Sequence, residues 1–474
     1  MKQFATLFLL CAVSVHFSPG TSRKNQTIAT IVSAISPPGI RSTIDTLAGF
    51  GTRHTLSDSA SGHGNGAARR WIKSVFERYA RESNGRMTVE FQEFIAPASA
   101  RIPRPARIVN VVATLRPSLS PGAGSPDKPG NGAVRRGAES QMALKATGAH
   151  PDRVFLVSGH YDSRSSNALD SVSAAPGADD DGSGTALVLE LARVLCKYEF
   201  RSTIVFAIFS GEEQGLFGST HFADLAKRRG WNIEGVLNDD IVGSIQDGNG
   251  EVESTKVRLF SEAYNPLDTG SIFRQRNFLG LENDGASRTL ARYAKEIGEQ
   301  YVPDCRVMMV YRRDRFLRGG DQLPFHERGF PAVRFTEARE NFDRQHQDLR
   351  TENGKSFGDL PEFINEAYCA RIAGVNASTI AMLAFAPSAP ESVQVLTKNL
   401  DYDTDLRWRK NAEADIAGYD VRYRETTSPV WQYSVFTRDT IITIKASKDD
   451  YLFGVQAVDQ SGNVSLPSLP RPAR

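Results

Sequence analysis

The chain has 474 residues, 40% of them hydrophobic, with a formal net charge of +2 and a pI near 8.3. That length exceeds one ordinary core, so two or three domains are expected, with apolar content enough to enclose a full active site. The near balance of charge gives no large field of one sign, which argues against nucleic acid as the main partner and for a substrate smaller than a polymer.

The opening stretch, MKQFATLFLLCAVSVHFSPGTS, has one Lys, an apolar run from Phe4 to Phe17 and then small residues. This is the layout of a secretory signal peptide over residues 1-22, cleaved near Gly20 to Ser22, and it predicts a secreted or periplasmic protein. The run is short for a membrane span, and no later stretch is read as reaching the length one needs. Cleavage leaves Cys196, Cys305 and Cys369, too few and too odd a number for a disulfide framework; Cys196 falls in a helical apolar pattern and reads as buried. The sequons at Asn25, Asn376 and Asn463 read as chance occurrences.

From Ser42 to Ser83 the pattern is helical, interrupted by SDSASGHGNG; Trp71, Val75, Phe76 and Tyr79 give AARRWIKSVFERYA its apolar face. MTVEFQEF and ARIVNVVATL read as strands at a sheet edge. Residues 118-152, rich in Gly, Pro, Ser and basic side chains, predict a mobile surface insertion. Strand Arg153 to Ser158, helix Thr185 to Lys197, strand Thr203 to Phe209, helix Thr220 to Arg229 and strand Val236 to Val242 follow. SRTLARYAKEIGEQY is helical, RVMMVYR and PAVRFTE are strands, and FINEAYCARIAGVNASTIAMLAFA closes the unit near Ala386. Strands alternating with helices predict an α/β domain over 23-386, with right-handed crossovers and a mostly parallel sheet covered on both faces.

Residues 387-390, within APSAP, read as a linker. In 391-474 the stretches GYDVRYR and YLFGVQAV alternate, placing Tyr419, Val421 and Tyr423, and Tyr451, Phe453, Val455 and Ala457, each set on one face. Short strands separated by turns predict an all-β sandwich. Trp408 in an early strand, Tyr451 as a tyrosine corner and AVDQSGNVS after it resemble a fibronectin type III domain, with another immunoglobulin-like sandwich as the alternative. Such a unit binds a surface or partner or braces its neighbour, and implies no activity of its own.

Chemistry concentrates at the ends of the apolar strands. His160 and Asp162 form H-x-D after VFLVSG; Gly177-Ala178-Asp179-Asp180-Asp181-Gly182-Ser183-Gly184 opens a helix; Glu212-Glu213 follows TIVFAIFS; Asp239 and Asp240 sit in GVLNDDIVG; His346 lies in NFDRQHQDLRT. Three successive carboxylates repel one another, and a cation is the simplest offset. The crevice beyond the carboxyl ends of such strands is where ligands bind, and a His and carboxylate cluster there suits a dication such as zinc. Adjacent glutamates leave a strand in different directions, so one can bind metal while the other takes a proton from water, as hydrolysis requires.

Taken together, over roughly Leu47 to Ala386 and including GFGTRHT and GAARRWI, these motifs resemble the zinc peptidase family of bacterial leucyl aminopeptidases, plasma glutamate carboxypeptidases and their relatives. The resemblance implies a three-layer zinc-exopeptidase fold (phosphorylase/hydrolase-like), two Zn2+ ions and a peptide substrate. Carried onto this sequence, it implies His160 on one metal, Asp179 bridging two, Asp162 behind His160, Asp180 beside the bridge, Glu212 as general base, Glu213 on the metal opposite His160, and Asp240 and His346 as the remaining ligands. Asp239 stands where the family has an apolar residue, so Asp239 competes with Asp240, and the DIVG spacing favours Asp240. Gly320-Asp321-Gln322 replaces the family's Ser-Asp-His, which implies a different pocket. The expected activity is that of an aminopeptidase; the alternatives are a carboxypeptidase of the same family, a glutaminyl cyclase-like transferase with one zinc, and a non-catalytic binding protein.

Overall fold

The computed structural model describes residues 24–57, 60–117, 149–398 and 401–473. The signal-peptide segment and residues 118–148 of the expected insertion lie outside the described residues; 149–152 lead into a strand.

An eight-stranded sheet forms the spine, in the order β1 (Met87–Ala96), β2 (Ala106–Leu115), β4 (Ser202–Phe209), β3 (His150–His160), β5 (Asn232–Asp239), β8 (Ala332–Glu337), β6 (Lys256–Ser261) and β7 (Arg306–Val310). Strand β3 runs parallel to β4 and β5, β5 to β8, and β6 to β7. The remaining pairs, β1 with β2, β2 with β4 and β6 with β8, are antiparallel.

The alternation of side chains along the central strands explains the layering. Phe155, Val157, Ile204, Phe206 and Ile208 point into one core with the helices α1 (Gln26–Ser33), α2 (Pro37–Ala48), α3 (Gly64–Glu82) and α4 (Gly182–Leu195). Val154, Leu156, Val205, Ala207 and Phe209 point into a second core on the opposite face, with Phe222 and Ala223 of α5 (Phe217–Arg228). Two buried faces make every position of β4 buried, which is why TIVFAIF has no polar interruption.

A short helix α6 (Gly270–Phe278), then α7 (Ala286–Tyr301), α8 (Gln322–Glu327), the hairpin of β9 (Arg350–Glu352) and β10 (Lys355–Phe357), and α9 (Glu366–Phe385) complete the domain. Helix α9 starts on the cap Asn365, whose side chain accepts from Tyr368 N. It is the one described helix long and apolar enough to cross a membrane, which corrects the sequence reading that no later stretch reaches such a length. Its apolar character all round has another cause: it is packed among α1, α4 and α7 in the first core. Strand β5 ends at Asp239 instead of Val242, because Ile241 turns the chain with a left-handed backbone (φ 60°). Helix α4 begins three residues before the expected Thr185, on the cap Asp181. Cys196, Cys305 and Cys369, the cysteines among the described residues, are buried and free.

Residues beyond the linker form two sheets, β15 (Ile441–Ile444), β12 (Thr404–Arg407), β11 (Gln394–Leu396) and β17 (Arg471–Ala473) in one, and β14 (Tyr433–Thr437), β13 (Ile416–Glu425) and β16 (Tyr451–Asp459) in the other. They close over Leu406, Trp408, Tyr419, Val421, Phe453 and Val455. Trp408 lies just past β12 and meets Tyr419 edge on, with centroids 5.2 Å apart. The Tyr419 hydroxyl accepts from Asn411 N at 2.9 Å, whereas Tyr451, the expected corner residue, packs its ring on Tyr423 and Tyr433.

This unit is fastened to the first domain. Ser388 N in the linker donates to Glu413 (2.7 Å), which also lies 3.2 Å from His150 Nε2 at the start of β3. Arg201, just before β4, pairs with Asp415, and the Tyr293 hydroxyl of α7 donates to Val464 O at 2.7 Å. Buried Asp284 accepts from Arg292 on one side (3.1 Å) and Arg424 on the other (2.7 Å). The contacts at His150 and Arg201 are at the amino ends of β3 and β4.

Candidate metal centre

His160 ends β3, with its backbone N donating to Asp181 Oδ2 at 2.9 Å. Its Nδ1 lies 3.1 Å from the Asp162 carbonyl oxygen and 3.6 Å from Asp162 Oδ1. A proton given to that carbonyl leaves the Nε2 lone pair facing the crevice. Nε2 is buried without a hydrogen-bond partner, 3.3 Å from Asp180 Oδ1 and 3.9 Å from both Glu212 Oε2 and Asp240 Oδ2. Asp162 thus stands behind His160 as expected, but its nearest link is the backbone oxygen. Its carboxylate accepts from Glu213 N (3.1 Å), Glu212 N (3.4 Å) and Thr55 Oγ1 (3.1 Å), and so fixes the turn that carries the two glutamates.

The three consecutive aspartates do three different things. Asp181 Oδ1 caps helix α4 through Gly184 N (2.8 Å) while its other oxygen holds His160. Asp180 faces the crevice and spans it, Oδ1 toward His160 and Oδ2 2.9 Å from His346 Nε2. Asp179 turns the other way: its Oδ1 accepts from Gly243 N at 2.8 Å, beside Glu337. The structure therefore puts Asp180, not the expected Asp179, between the two histidines. The reason is the loop's anchoring. Asp359 accepts from both Asp179 N (2.9 Å) and Asp180 N (2.8 Å), and buried Arg53 of GFGTRHT donates to the carbonyls of Tyr161, Pro176 and Gly177. Gly184 admits the close approach of α4 to β5; a Cβ there would stand 2.1 Å from Asp239 O.

A second group is completed by Glu213 Oε1, 3.1 Å from His346 Nε2. The candidate donor atoms of His160, Glu212 and Asp240 lie within 4.8 Å of one another, as do those of Asp180, Glu213 and His346. Asp239 is excluded from the crevice: it lies within β5, buried, with Oδ1 accepting from Asn376 Nδ2 at 2.9 Å. Asp240 and Glu213 share a device. Each gives one oxygen to an arginine, Asp240 Oδ1 to Arg334 (2.9 Å) and Glu213 Oε2 to Arg164 (2.9 Å), and turns the other inward. Glu212 has no such partner among the described residues and is the more exposed of the pair, its side chain 14% accessible against 3% for Glu213. Ile241 and His346 both hold left-handed backbones (φ 60° and 54°), strain of the kind that functional sites retain.

Electrostatics follow from burial. Burial first, then Asp240 and Glu213, pushes the Glu212 carboxyl well above its ordinary range, and burial likewise raises Asp240. Burial acts the same way on Asp180, but His346 and His160 outweigh it and hold that carboxylate well below. Behind the crevice, burial pushes Asp179 up to about 6 and raises Glu337 well above its ordinary range.

Arg164, Arg334, Asp359 and Glu337 were not among the expected residues. Arg334 and Glu337 had a readable signal: charges inside the apolar strand PAVRFTE require buried partners. Asp359, in a loop distant in sequence, had none.

Both donor groups lie inside the segment, residues 142–366, that matches the sequence profile of Peptidase family M28. A probable zinc metalloprotease of Leptosphaeria maculans is 41% identical over 447 residues, covering 94% of this chain and 97% of that protein. Another, of Pyrenophora teres, is 41% identical over 448 residues, covering 94% and 86%. Among solved structures, an aminopeptidase from Aneurinibacillus sp. strain AM-1 shares the fold at 15% identity, with a TM-score of 0.50 over 76% of this chain and 96% of that one. With nearly the whole chain aligned to such relatives, and both groups of donors inside the matched segment, the protein belongs to peptidase family M28.

Proposed function

We propose that the chain is a dizinc exopeptidase, an aminopeptidase that removes N-terminal residues from peptides. The observation that carries this reading is Asp180, which turns one oxygen toward each of the two histidines, while Glu212, in the first donor group, is held by no arginine among the described residues. The names of the relatives, zinc metalloproteases, support the identity of the metal.

The donors fit a dication. His160 Nε2 is an orphaned buried nitrogen aimed at three carboxylate oxygens, and buried carboxylates of this number need a positive charge among them. His160, Asp180 and Asp240 would hold one ion, and Asp180, Glu213 and His346 the other. The two groups are unequally prepared. His160 already presents its lone pair, whereas Arg164 Nη2 donates to His346 Nδ1 at 2.6 Å, which leaves the ring proton on Nε2. For His346 to hold an ion through Nε2, that proton would have to leave, and Nδ1 would then need an acceptor other than Arg164.

When bound, zinc polarises the scissile carbonyl and acidifies the attacking water. Glu212 receives the proton of that water and passes it to the departing amine. Arg334 and Arg164 hold Asp240 and Glu213 in place, and Asp162 fixes the backbone from which Glu212 projects. We read the C-terminal sandwich as a fibronectin type III-like unit, and the N-terminal segment as directing export.

The test is hydrolysis of a peptide library by the zinc-loaded protein, with free or acetylated N-termini and free or amidated C-termini. A required free N-terminus is the expected result. A required free C-terminus replaces the aminopeptidase by a carboxypeptidase. No cleavage, with one tightly held zinc per chain, moves the reading to a glutaminyl cyclase-like transferase.

A further inference from the structure

The cavity over the metal centre, about 500 Å³, has a wall that composition does not foretell: four arginines, Arg101, Arg164, Arg315 and Arg318. Its acidic lining residues, Asp180, Glu212, Glu213 and Asp240, all belong to the donor groups. Two of the arginines are committed. Arg164 serves Glu213 and His346, and Arg315 serves Asp314 and Glu340. The other two pair with no carboxylate among the described residues. Arg101 gives one N–H to the Glu213 carbonyl oxygen at 2.9 Å, and the Arg318 guanidinium lies 5.9 Å from the centre of the Phe342 ring.

Unpaired arginines on an open surface are ordinary and carry no message. Arg318, half-buried, differs in position and support, while Arg101, itself exposed, is held by its bond to the Glu213 carbonyl. Both line the cavity that holds Glu212, which also has apolar lining from Leu216, Ile241 and Leu317. The loop that bears Arg318 is held at its base: Arg315 is tied to buried Asp314, and Arg334 Nη1 donates to Gly319 O at 2.6 Å. A guanidinium on an anchored loop beside apolar contact surface is suited to bind a carboxylate, through paired N–H groups and at small ordering cost.

We propose that Arg318, assisted by Arg101, binds a carboxylate of the substrate next to the cleaved bond, so that the enzyme prefers acidic substrates. The proposal rests on the peptidase reading of the crevice. Under the aminopeptidase reading the carboxylate is the side chain of an N-terminal Glu or Asp; under the carboxypeptidase reading it is the terminal α-carboxylate.

The experiment compares kcat/KM for Glu-Ala-Ala-amide and Gln-Ala-Ala-amide, and for N-acetyl-Ala-Ala-Ala as free acid and as amide, in the zinc-loaded wild type and in Arg318→Gln. Alongside it, calorimetry measures binding of two probes: glutamic acid α-amide, which has only the side-chain carboxylate, and N-acetylalanine, which has only the α-carboxylate. The expected result is a Glu over Gln preference of at least about tenfold, the worth of one hydrogen bond to a charge, that collapses in Arg318→Gln. Cleavage of the acetylated free acid alone, weakened in Arg318→Gln, keeps the carboxylate site and overturns the aminopeptidase. Equal rates on Glu and Gln peptides, with the ratio unmoved by the substitution, overturn the carboxylate site and keep the aminopeptidase. If no peptide is cleaved, calorimetry decides: binding of either probe that weakens about tenfold in Arg318→Gln upholds the site, and undetectable or unaltered binding of both overturns it.

Discussion

Asp179, Asp180 and Asp181 are chemically alike and consecutive, yet one caps a helix, one spans the donor groups and one turns toward Gly243. Their exchange for Asn separates them. Asp180→Asn is expected to reduce bound zinc at both groups, and Asp179→Asn to leave two ions per chain; metal content by mass spectrometry reads both, and loss of zinc from Asp179→Asn would return it to the ligand set. Glu212→Gln is expected to keep its zinc and lose roughly 10²- to 10⁴-fold in kcat, the usual worth of a general base. Unchanged turnover in that variant removes Glu212 from the proton path. At this scale the sequence was legible by residue type and by position after an apolar strand, which was enough for His160, Glu213, Asp240 and His346 to be brought together. It was not enough for Asp179 against Asp180. Which of three equal carboxylates faces inward is set by torsions of a loop held by Arg53 and Asp359, residues on either side and more than a hundred positions away.

Among the elements, the two-residue period of VFLVSG and TIVFAIF already divides their side chains between two cores, and the strand and helix order already implies a parallel centre. What pattern could not give was where strands stop. β5 ends at Asp239 because Ile241 turns left-handed, and that early stop releases Asp240 into the crevice. Strand β6, KVRLFS, was not among the expected strands, although Lys256 and Arg258 alternate there with buried Val257 and Leu259, the two-residue period of a half-buried strand. The junction of α4 with β5 is the tightest element contact at the site. Gly184→Ala should therefore cost about 1–3 kcal/mol or more through overpacking against Asp239 O, measured as a fall in the denaturation midpoint. A midpoint equal to wild type would mean that the helix can retreat without penalty.

At the scale of the whole molecule, the seam between the two units combines buried apolar contact at Val464 with paired charges. Asp284 is the buried counter-ion of both Arg292 and Arg424, and Asp284→Ala leaves two uncompensated guanidinium groups, an expected loss of about 3–5 kcal/mol in thermal or denaturant unfolding. Acid should act on the same seam. Burial alone would raise Glu413, but its bonds from His150 and Ser388 N hold it below its ordinary range, and Arg201 holds Asp415 below its own. A depressed carboxyl contributes its stability above the unfolded value, about 4.3 for Glu, and loses it as the pH falls toward the folded one. The Tm gap between wild type and Glu413→Gln should be widest near neutrality and narrow below about pH 4; a gap independent of pH would discount the pairing.

Strand β3 begins at His150, against the second unit, and ends at His160 in the crevice, ten steps of strand or roughly 33 Å. A grip on the sandwich is thus a grip on the handle and not on the blade. Immobilisation through the sandwich is therefore expected to leave the crevice, at the other end of β3, clear of the support.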